Sequence, residues 1–328
     1  MKLTFPGGKR CAFSVFDDTD VATLASIRPL YDYLSELGIY TTKSVWSIGF
    51  DGDSDYKGSD TLENPAYAAY MLELQRRGFE MAFHGAGMES TQRSHIEQGF
   101  ARFHAIFGKY PVINAAHGRN RDNLYWGSER FTSWFTKQMY SLLSGDDRDY
   151  FQGHKQESPF FWGDLAQKHF KFVRSFTFTG INLLSGASPV VYHSKETPWI
   201  NAWFLSCDAE NVEEFNTLLT SKNQESLERD GGMCIVSTHF GKGFVENDLV
   251  HPQTKRVLEE LSKRDCWFAP VSQLLDFYVS QFGCVTTNRR QLLQLEMRWF
   301  IDSLIRRFRR KKYNPTEIAY LEKSPADH

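Results

Sequence analysis

Two carboxylates stand side by side at the point where an apolar segment of the chain ends. Residues 12–16 are bulky and β-prone, and Asp17 and Asp18 follow at once, with Asp20 just beyond. Adjacent carboxylates repel each other, so a bound divalent cation is one reason for such a pair. A helix N-cap or an Asx turn is the structural alternative, because Asp and Thr favour both. The pair alone leaves both interpretations open.

Four later β-prone segments also end in a side chain that can bind a metal or transfer a proton, namely His84, His117, Asp208 and His239. In a parallel barrel the carboxyl ends of the strands converge on one mouth, so these side chains are expected to lie together. Imidazole and carboxylate ligands suit Zn²⁺ or a similar ion with an open position for water. The pattern predicts a polarised water, and it leaves open which bond that water attacks.

Short β-prone runs alternate with helical patterns, which is typical of β/α units. The candidate strands are residues 12–16, 40–46, 79–83, 111–116, 170–178, 199–206, 233–238 and 266–268. We therefore predict a distorted (β/α) barrel of seven to eight parallel strands. A doubly wound open sheet is the alternative, but no G-x-G-x-x-G follows the first strand.

The barrel is expected to occupy residues 1–284, with an insertion at about 119–163 over its mouth that includes Gly145 to Asp149. Residues 285–328 form a separate segment, a basic amphipathic helix and tail. We expect the helix at 289–312 either to pack on the barrel or to contact an anionic membrane or a protein partner. The sequence leaves open whether the chain forms a homo-oligomer.

The bulk composition excludes several classes of protein. The 328 residues are 41% hydrophobic and 24% charged, with a net charge of −2, which provides no field for recruiting nucleic acid. The five cysteines are odd in number and form no C-x-x-C, so we expect no disulfide framework and a reducing compartment. Neither a signal peptide nor a membrane-spanning run is visible. The expected location is the cytoplasm, with a membrane-peripheral one as the variant.

Four segments resemble motifs of the polysaccharide deacetylase family, the carbohydrate esterases of the NodB-homology type. V-F-D-D-T-D (15–20) is similar to the family's first motif, which usually reads T-F-D-D-G. G-F-E-M-A-F-H-G (78–85) resembles the second motif and G-G-M-C-I-V-S-T-H-F-G (231–241) the last. Residues 265–278 resemble the closing strand and helix. The resemblance runs in order over most of the chain and is weakest at 119–194.

The resemblance implies that Asp17 is the catalytic base, His239 the catalytic acid, and Asp18 and His84 metal ligands. The family's second motif carries another His four residues after the first, and Met88 stands there in this chain. The third ligand is therefore expected to be His117, with Glu89 as the second choice.

The family's Arg-Pro motif is replaced by A-A-H-G-R-N-R (115–121), where Arg119 or Arg121 is expected to take the place of its arginine. Asp208 and Trp126 complete the expected substrate-binding set. Trp126 suits stacking on a sugar ring, and anchoring the insertion is an equally good use of it.

The activity implied by the resemblance is hydrolysis of a C–N bond. An N-acetyl or O-acetyl group would be removed from a sugar or polysaccharide precursor, with Zn²⁺ as the first choice of ion and Co²⁺, Mn²⁺ or Ni²⁺ as alternatives. Met88 motivates a second hypothesis, a catalytically inactive carbohydrate-binding or scaffolding protein on the same fold. A metal hydrolase of another bond, such as a phosphodiester or a cyclic amide, is the third.

Overall fold

The computed structural model describes residues 3–49, 58–144, 149–186 and 188–313. The barrel strands and their neighbours follow in chain order: β1 (Cys11–Asp17), α1 (Leu24–Glu36), β2 (Thr42–Val45), α2 (Pro65–Arg76), β3 (Glu80–Phe83), α3 (Arg93–Phe107), β4 (Ile113–Asn114), α4 (Trp134–Ser144), α5 (Gly163–His169), β5 (Phe172–Phe178), β6 (Val191–His193), β7 (Trp203–Asp208), α6 (Val212–Leu218), α7 (Ser221–Asp230) and β8 (Met233–Thr238). The remaining elements are β9 (Val245–Glu246), β10 (Leu249–Val250), α8 (Pro252–Ser262), β11 (Cys266–Phe268), α9 (Val271–Phe282), β12 (Val285–Thr286) and α10 (Arg289–Tyr313).

Seven parallel strands close into a barrel in the order β1, β2, β3, β4, β5, β7, β8 and back to β1. Strands β1 and β8 are buried along their whole length, because helices cover the outside and side chains fill the inside. An eighth parallel strand, β11, pairs with the first half of β1. The predicted distorted (β/α) barrel of seven to eight parallel strands is therefore confirmed.

The helices between the strands end where the sequence provides a residue for a left-handed turn. Gly38 follows α1 with φ 69° and Gly108 follows α3 with φ 70°, a conformation that a side chain would disfavour. Helix α1 begins at a capping box of Thr23 and Ser26. These turns return the chain to the bottom of the next strand, so that all seven barrel strands point their carboxyl ends the same way.

The insertion carries helix α4 and packs beneath helix α10. The ring of Phe131 stacks on that of Phe300 in α10 with 5.1 Å between centroids, and it also contacts Phe176 of β5. Residues 145–148, part of the polar run in the insertion, lie outside the described residues. Helix α10 thus packs back onto the barrel, which was one of the two alternatives for it.

One prediction about the cysteines is wrong, because Cys11 and Cys266 form a disulfide. The two residues are 255 positions apart in the chain, but they are register partners on the adjacent strands β1 and β11. Spacing in the sequence cannot show such a neighbourhood. Cys207 and Cys234 are buried, and Cys284 is exposed.

Within the described residues no helix has the length and apolar character needed to cross a bilayer.

Candidate active site

The double Asp at the end of β1 divides between two environments, because successive residues of a strand point to opposite faces. The Asp17 carboxylate faces outward and is completely buried. It accepts hydrogen bonds from the Tyr31 hydroxyl at 2.9 Å and from the backbone N–H of Phe240 at 2.8 Å. The ammonium group of Lys43, its register partner on β2, lies 3.0 Å away. These partners enclose Asp17 between the sheet and α1.

Lys43 is as completely buried as Asp17. Burial alone lowers the pKa of Lys43, but Asp17 outweighs that effect, so the pKa of Lys43 lies above its usual value. Burial raises the pKa of Asp17, and Lys43 opposes that shift. Because three donors converge on this carboxylate, we treat Asp17 and Lys43 as an ion pair in the wall of the barrel.

Asp18 faces the barrel interior and is held by an arginine from the opposite side. Arg174 of β5 donates to both carboxylate oxygens, at 2.9 and 2.7 Å, and also to the Ser237 hydroxyl at 2.6 Å. Burial by itself raises the pKa of Asp18, but Arg174, followed by His84 and His239, more than reverses this effect. The pKa of Asp18 therefore lies below its usual value, and the carboxylate is ionised at neutral pH.

Three imidazoles from three different strand ends surround the third acid, Asp20. Its Oδ1 atom lies 3.4 Å from Nε2 of His84 and 3.2 Å from Nε2 of His117, and its Oδ2 atom lies 2.8 Å from Nε2 of His239. Burial raises the pKa of Asp20, but the three imidazoles lower it by more than burial raises it. The pKa of Asp20 therefore lies well below its usual value. We call Asp18, Asp20, His84, His117 and His239 the mouth cluster.

The hydrogen bonds on the far side of two imidazoles fix their tautomers. Nδ1 of His239 lies 2.9 Å from the backbone carbonyl of Glu210, which can only accept. Nδ1 of His117 lies 3.1 Å from Oδ1 of Asn120, whose amide nitrogen donates to the backbone carbonyls of residues 87 and 89. Both imidazoles therefore carry hydrogen on Nδ1, and in the neutral form each presents the lone pair of Nε2.

These lone pairs point at the oxygens of Asp20, which also only accept when ionised. Such contacts are repulsive unless a proton or a cation lies between the atoms. Burial lowers the pKa of His117, which favours its neutral form. His239 differs, because Asp20 overcomes the effect of burial and raises its pKa, so a proton accounts for that contact. At His117 the neutral Nε2 faces an ionised oxygen of Asp20, and a cation between the two atoms would stabilise this contact.

Buried atoms of the mouth cluster that make no hydrogen bond to any described residue also favour a positive charge among these side chains. Both ring nitrogens of His84 and Oδ1 of Asp20 are buried and make no hydrogen bond within the described part of the chain. As they stand, no three or more described His, Cys, Asp or Glu side chains form a ready group of metal ligands, and Asp20 lies directly against the imidazoles. The donors themselves, two imidazole nitrogens and a carboxylate, are those that Zn²⁺ takes at about 2.0–2.2 Å.

The residues expected to bind substrate lie at different distances from the mouth cluster. Trp126 lines a small cavity together with His84, Arg174 and Trp203, and the Arg130 guanidinium lies 3.8 Å from the Trp126 ring centroid. Arg119 and Arg121 are exposed, and Arg121 lies over the rings of Tyr150 and Phe160. Asp208 pairs with Arg306 of α10 at 2.9 Å. Of this predicted set, Trp126 adjoins the mouth cluster.

The structure adds three residues to the site to which the sequence analysis gave no role, namely Asp20, Lys43 and Arg174. Asp20 follows Asp18 by two positions, and this spacing keeps both on one side of an extended segment. Lys43 and Arg174 are charged residues within the β-prone segments 40–46 and 170–178, and a charged residue in a buried strand indicates a buried partner of opposite charge. The arginine beside the double Asp is Arg174, and neither Arg119 nor Arg121 makes that contact.

Comparison with known proteins supports the fold. No family model matches the chain, and no curated protein matches it. Among solved structures, one from Mycobacterium smegmatis described as a polysaccharide deacetylase is 14% identical, with a TM-score of 0.54 over 88% of this chain and 96% of that one. The Puue allantoinase is 10% identical, with a TM-score of 0.49 over 86% and 95%. A structure from Pseudomonas aeruginosa PAO1, also described as a polysaccharide deacetylase, is 12% identical, with a TM-score of 0.48 over 86% and 95%.

The chain thus spans nearly the full length of these structures. Its fold agrees with that of the Mycobacterium smegmatis structure at low sequence identity. The resemblance in the four sequence motifs is confirmed at the level of the fold. This chain has a distorted (β/α) barrel fold that is similar to the structure from Mycobacterium smegmatis described as a polysaccharide deacetylase.

Proposed function

We propose that the protein is a metal-dependent hydrolase that removes an N-acetyl or O-acetyl group from a sugar or polysaccharide precursor. One observation carries the proposal: the Nε2 lone pair of the buried His117 faces the ionised carboxylate of Asp20, with Nε2 of His84 3.4 Å from the same oxygen, and a positive charge between these atoms would hold them together. A divalent cation supplies that charge. The contacts favour Asp20 together with His84 and His117 as its ligands, with Zn²⁺ the first candidate and Co²⁺, Mn²⁺ or Ni²⁺ the alternatives.

Asp18 and Asp17, the ligand and the base implied by the sequence motif, have other partners. Arg174 holds both oxygens of Asp18, and Lys43, Tyr31 and Phe240 hold Asp17. We therefore propose that Asp20 takes the ligand role of Asp18, and that Asp18 takes the base role of Asp17. Asp17 then stabilises the strand that carries them both.

When bound, such an ion polarises the scissile carbonyl and lowers the pKa of a water to about 7. The ionised Asp18, kept in place by Arg174, accepts a proton at the mouth. His239 is fixed by its Nδ1 bond to Glu210, so its Nε2 can deliver a proton to the departing amine. Trp126 stands beside His84 as a flat surface for a sugar ring.

Elemental analysis of protein purified without chelator tests the ligand assignment. We expect about one divalent ion per chain in the wild type, and its loss in Asp20→Asn and His84→Ala. Asp208→Asn is the matched control, because it alters another strand-end acid whose partner is Arg306, and it should keep the ion. Loss of the ion in Asp18→Asn with retention in Asp20→Asn would restore the assignment implied by the motif.

Release of acetate from a panel of N-acetylated and O-acetylated sugars then tests the reaction. We expect turnover that a chelator abolishes and that Zn²⁺ or Co²⁺ restores.

A second candidate function is carbohydrate binding without catalysis. It is supported by the two buried, positively charged side chains of Lys43 and Arg174. Lys43 and Arg174 already balance the charges of Asp17 and Asp18. Glycan binding that neither a chelator nor Asp20→Asn weakens, together with no release of acetate, would favour this candidate.

A further inference from the structure

Helix α10 has apolar side chains on two opposite faces. Leu292, Leu295 and Phe300 are buried against the barrel and the insertion. On the other side Leu293, Ile301 and Ile305 follow one another along the helix and are 38%, 58% and 43% exposed. They line a shallow groove on the outside of the molecule. A helix that only covered the barrel would carry polar residues on this outer face.

Helix α4 of the insertion continues this exposed apolar region. It is tied to α10 by hydrogen bonds from the Thr136 hydroxyl and from Thr132 to Glu296. Its Trp134 is 74% exposed and its Leu142 is 85% exposed. The two helices hold eight of the thirteen large hydrophobic side chains that are exposed in the described part of the chain: Trp134, Phe135, Leu142, Leu143, Leu293, Ile301, Leu304 and Ile305. We call this region the α4–α10 surface. Monomeric proteins rarely concentrate exposed apolar groups in this way.

The charge of α10 distinguishes between the partners that this surface could take. Residues 289–313 contain nine Arg and Lys but only two acids, Glu296 and Asp302, in a chain with a net charge of −2. Both acids are engaged internally, Glu296 with the insertion and Asp302 with Thr179. Arg307 is exposed, and residues 309–312 are all Arg or Lys. The helix therefore combines an exposed apolar stripe with a strongly basic end.

We propose that the α4–α10 surface docks on a bilayer containing anionic phospholipids. Apolar side chains with an adjoining basic cluster are what an interfacial helix presents to such a surface, and an exposed Trp is suited to the headgroup layer. A second copy of the chain is disfavoured, because its α10 is equally basic and both acids of that helix are engaged internally, so the copy offers no negative charge to complement the basic end. This inference goes beyond the proposed hydrolysis and does not depend on it.

Sedimentation of the full chain with vesicles tests the proposal. The probes are phosphatidylcholine vesicles and vesicles in which a third of the lipid is phosphatidylglycerol. We expect binding that is at least about tenfold tighter to the anionic vesicles and weaker at high salt. Ile301→Asp with Leu304→Asp removes the apolar part, and Arg307→Glu with Lys311→Glu and Lys312→Glu removes the charge. Each set should weaken binding at least about tenfold.

Leu249→Asp is the matched control, since Leu249 is exposed on the hairpin of β9 and β10, outside this surface. It should leave vesicle binding unchanged. No binding by the wild type, or equal loss in the control, would overturn the proposal. So would a dimer in light scattering that Ile301→Asp converts to a monomer without any vesicle binding. The charge variants keep the test valid if the apolar variants fail to fold.

Discussion

The first Asp of the double-Asp motif, Asp17, forms a buried ion pair with Lys43. Two fully buried charges lie 3.0 Å apart, on strands that neighbour each other in the sheet. Taking either charge out of water is costly, and the partner offsets that cost only while both are present. The pair therefore holds the end of β1 in place, and with it the loop that carries Asp18 and Asp20.

Lys43→Met should lower the free energy of unfolding by about 3–5 kcal/mol, because it leaves Asp17 buried without its cation. Asp17→Asn combined with Lys43→Met should recover most of that loss, since no lone charge then remains. Urea denaturation followed by circular dichroism measures both values. If the double variant is no more stable than Lys43→Met, the cost comes from packing and the ion pair has no special part in it.

Arg174→Gln should shift the pH dependence of activity. Arg174 lowers the pKa of Asp18 against the effect of burial, so its removal raises that pKa. Asp18 must be ionised to accept a proton, and the acidic limb of kcat/KM should therefore move to higher pH. Ser237→Ala is the matched control, because it removes one hydrogen bond of Arg174 and leaves the guanidinium in place. An acidic limb that does not move in Arg174→Gln would exclude Asp18 as the base.

The residue types at the mouth could be predicted from the sequence, but their partners could not. His84, His117 and His239 follow strands and meet at Asp20, as strand-end positions suggest. The choice between Asp18 and Asp20 depends on which side of the chain each side chain takes after β1. That choice depends on Arg174, which is 156 residues away in the sequence.

Among the elements, the agreement between predicted and observed strand bounds varies from strand to strand. The predicted strands 233–238 and 266–268 agree with β8 and β11 to the residue, while the predicted strand 111–116 is reduced to the two residues of β4. Strands β6 and β12 pair outside the barrel and are two or three residues long, too short for a periodic pattern. Helix α1 begins after its N-cap Thr23 and carries Pro29 in its interior.

The loop after β4 contains a buried carboxylate, Asp122, that has no positively charged side chain paired with it among the described residues. Asp122 accepts hydrogen bonds from the backbone N–H and the hydroxyl of Thr91, at 2.9 and 3.2 Å. Burial raises the pKa of Asp122 to about 6, above the usual value of 3.8 for an aspartate. A carboxyl whose pKa is higher in the folded state stabilises the fold most when protonated. That stability is lost as the pH rises from about 4 through about 6.

Asp122→Asn should therefore gain stability relative to the wild type as the pH rises from 4 to 7, by up to roughly 3 kcal/mol. Urea denaturation at a series of pH values measures the difference. Asp164→Asn is the contrasting control, because Arg93 lowers the pKa of Asp164, so that the stabilising effect of Asp164 is complete above about pH 4; this variant should be less stable than the wild type by an amount that stays constant from about pH 5 to 7. A difference between Asp122→Asn and wild type that does not change with pH would contradict the raised pKa.

At the scale of the whole molecule, the disulfide between Cys11 and Cys266 joins β1 to β11. Cys11→Ser should lower the free energy of unfolding by roughly 2–4 kcal/mol without reductant, and should match the wild type in dithiothreitol. Cys284→Ser, which alters an exposed free thiol, is the control and should change nothing. Five reactive thiols in the unreduced, denatured protein would show that the bond does not form.

This bond also bears on location. Disulfides persist in oxidising compartments, so it argues against the reducing compartment that the cysteine pattern suggested. The cytoplasmic location stays a prediction. Neither the disulfide nor the packing of α10 could be predicted from local sequence, since both depend on contacts between segments that the barrel topology brings together.

The pairing of β1 with β8 has a consequence for how the chain is made. Six consecutive residues of β1 pair with β8, more than 200 positions later in the chain. During synthesis on the ribosome, one edge of β1 therefore remains unpaired until β8 has emerged. At about 5–20 residues per second, the synthesis of the intervening residues takes at least about ten seconds. The nascent chain thus exposes the unpaired edge of a largely apolar strand for most of its synthesis. We expect that production of this protein depends on chaperones that cover such an edge until the ring of strands can close.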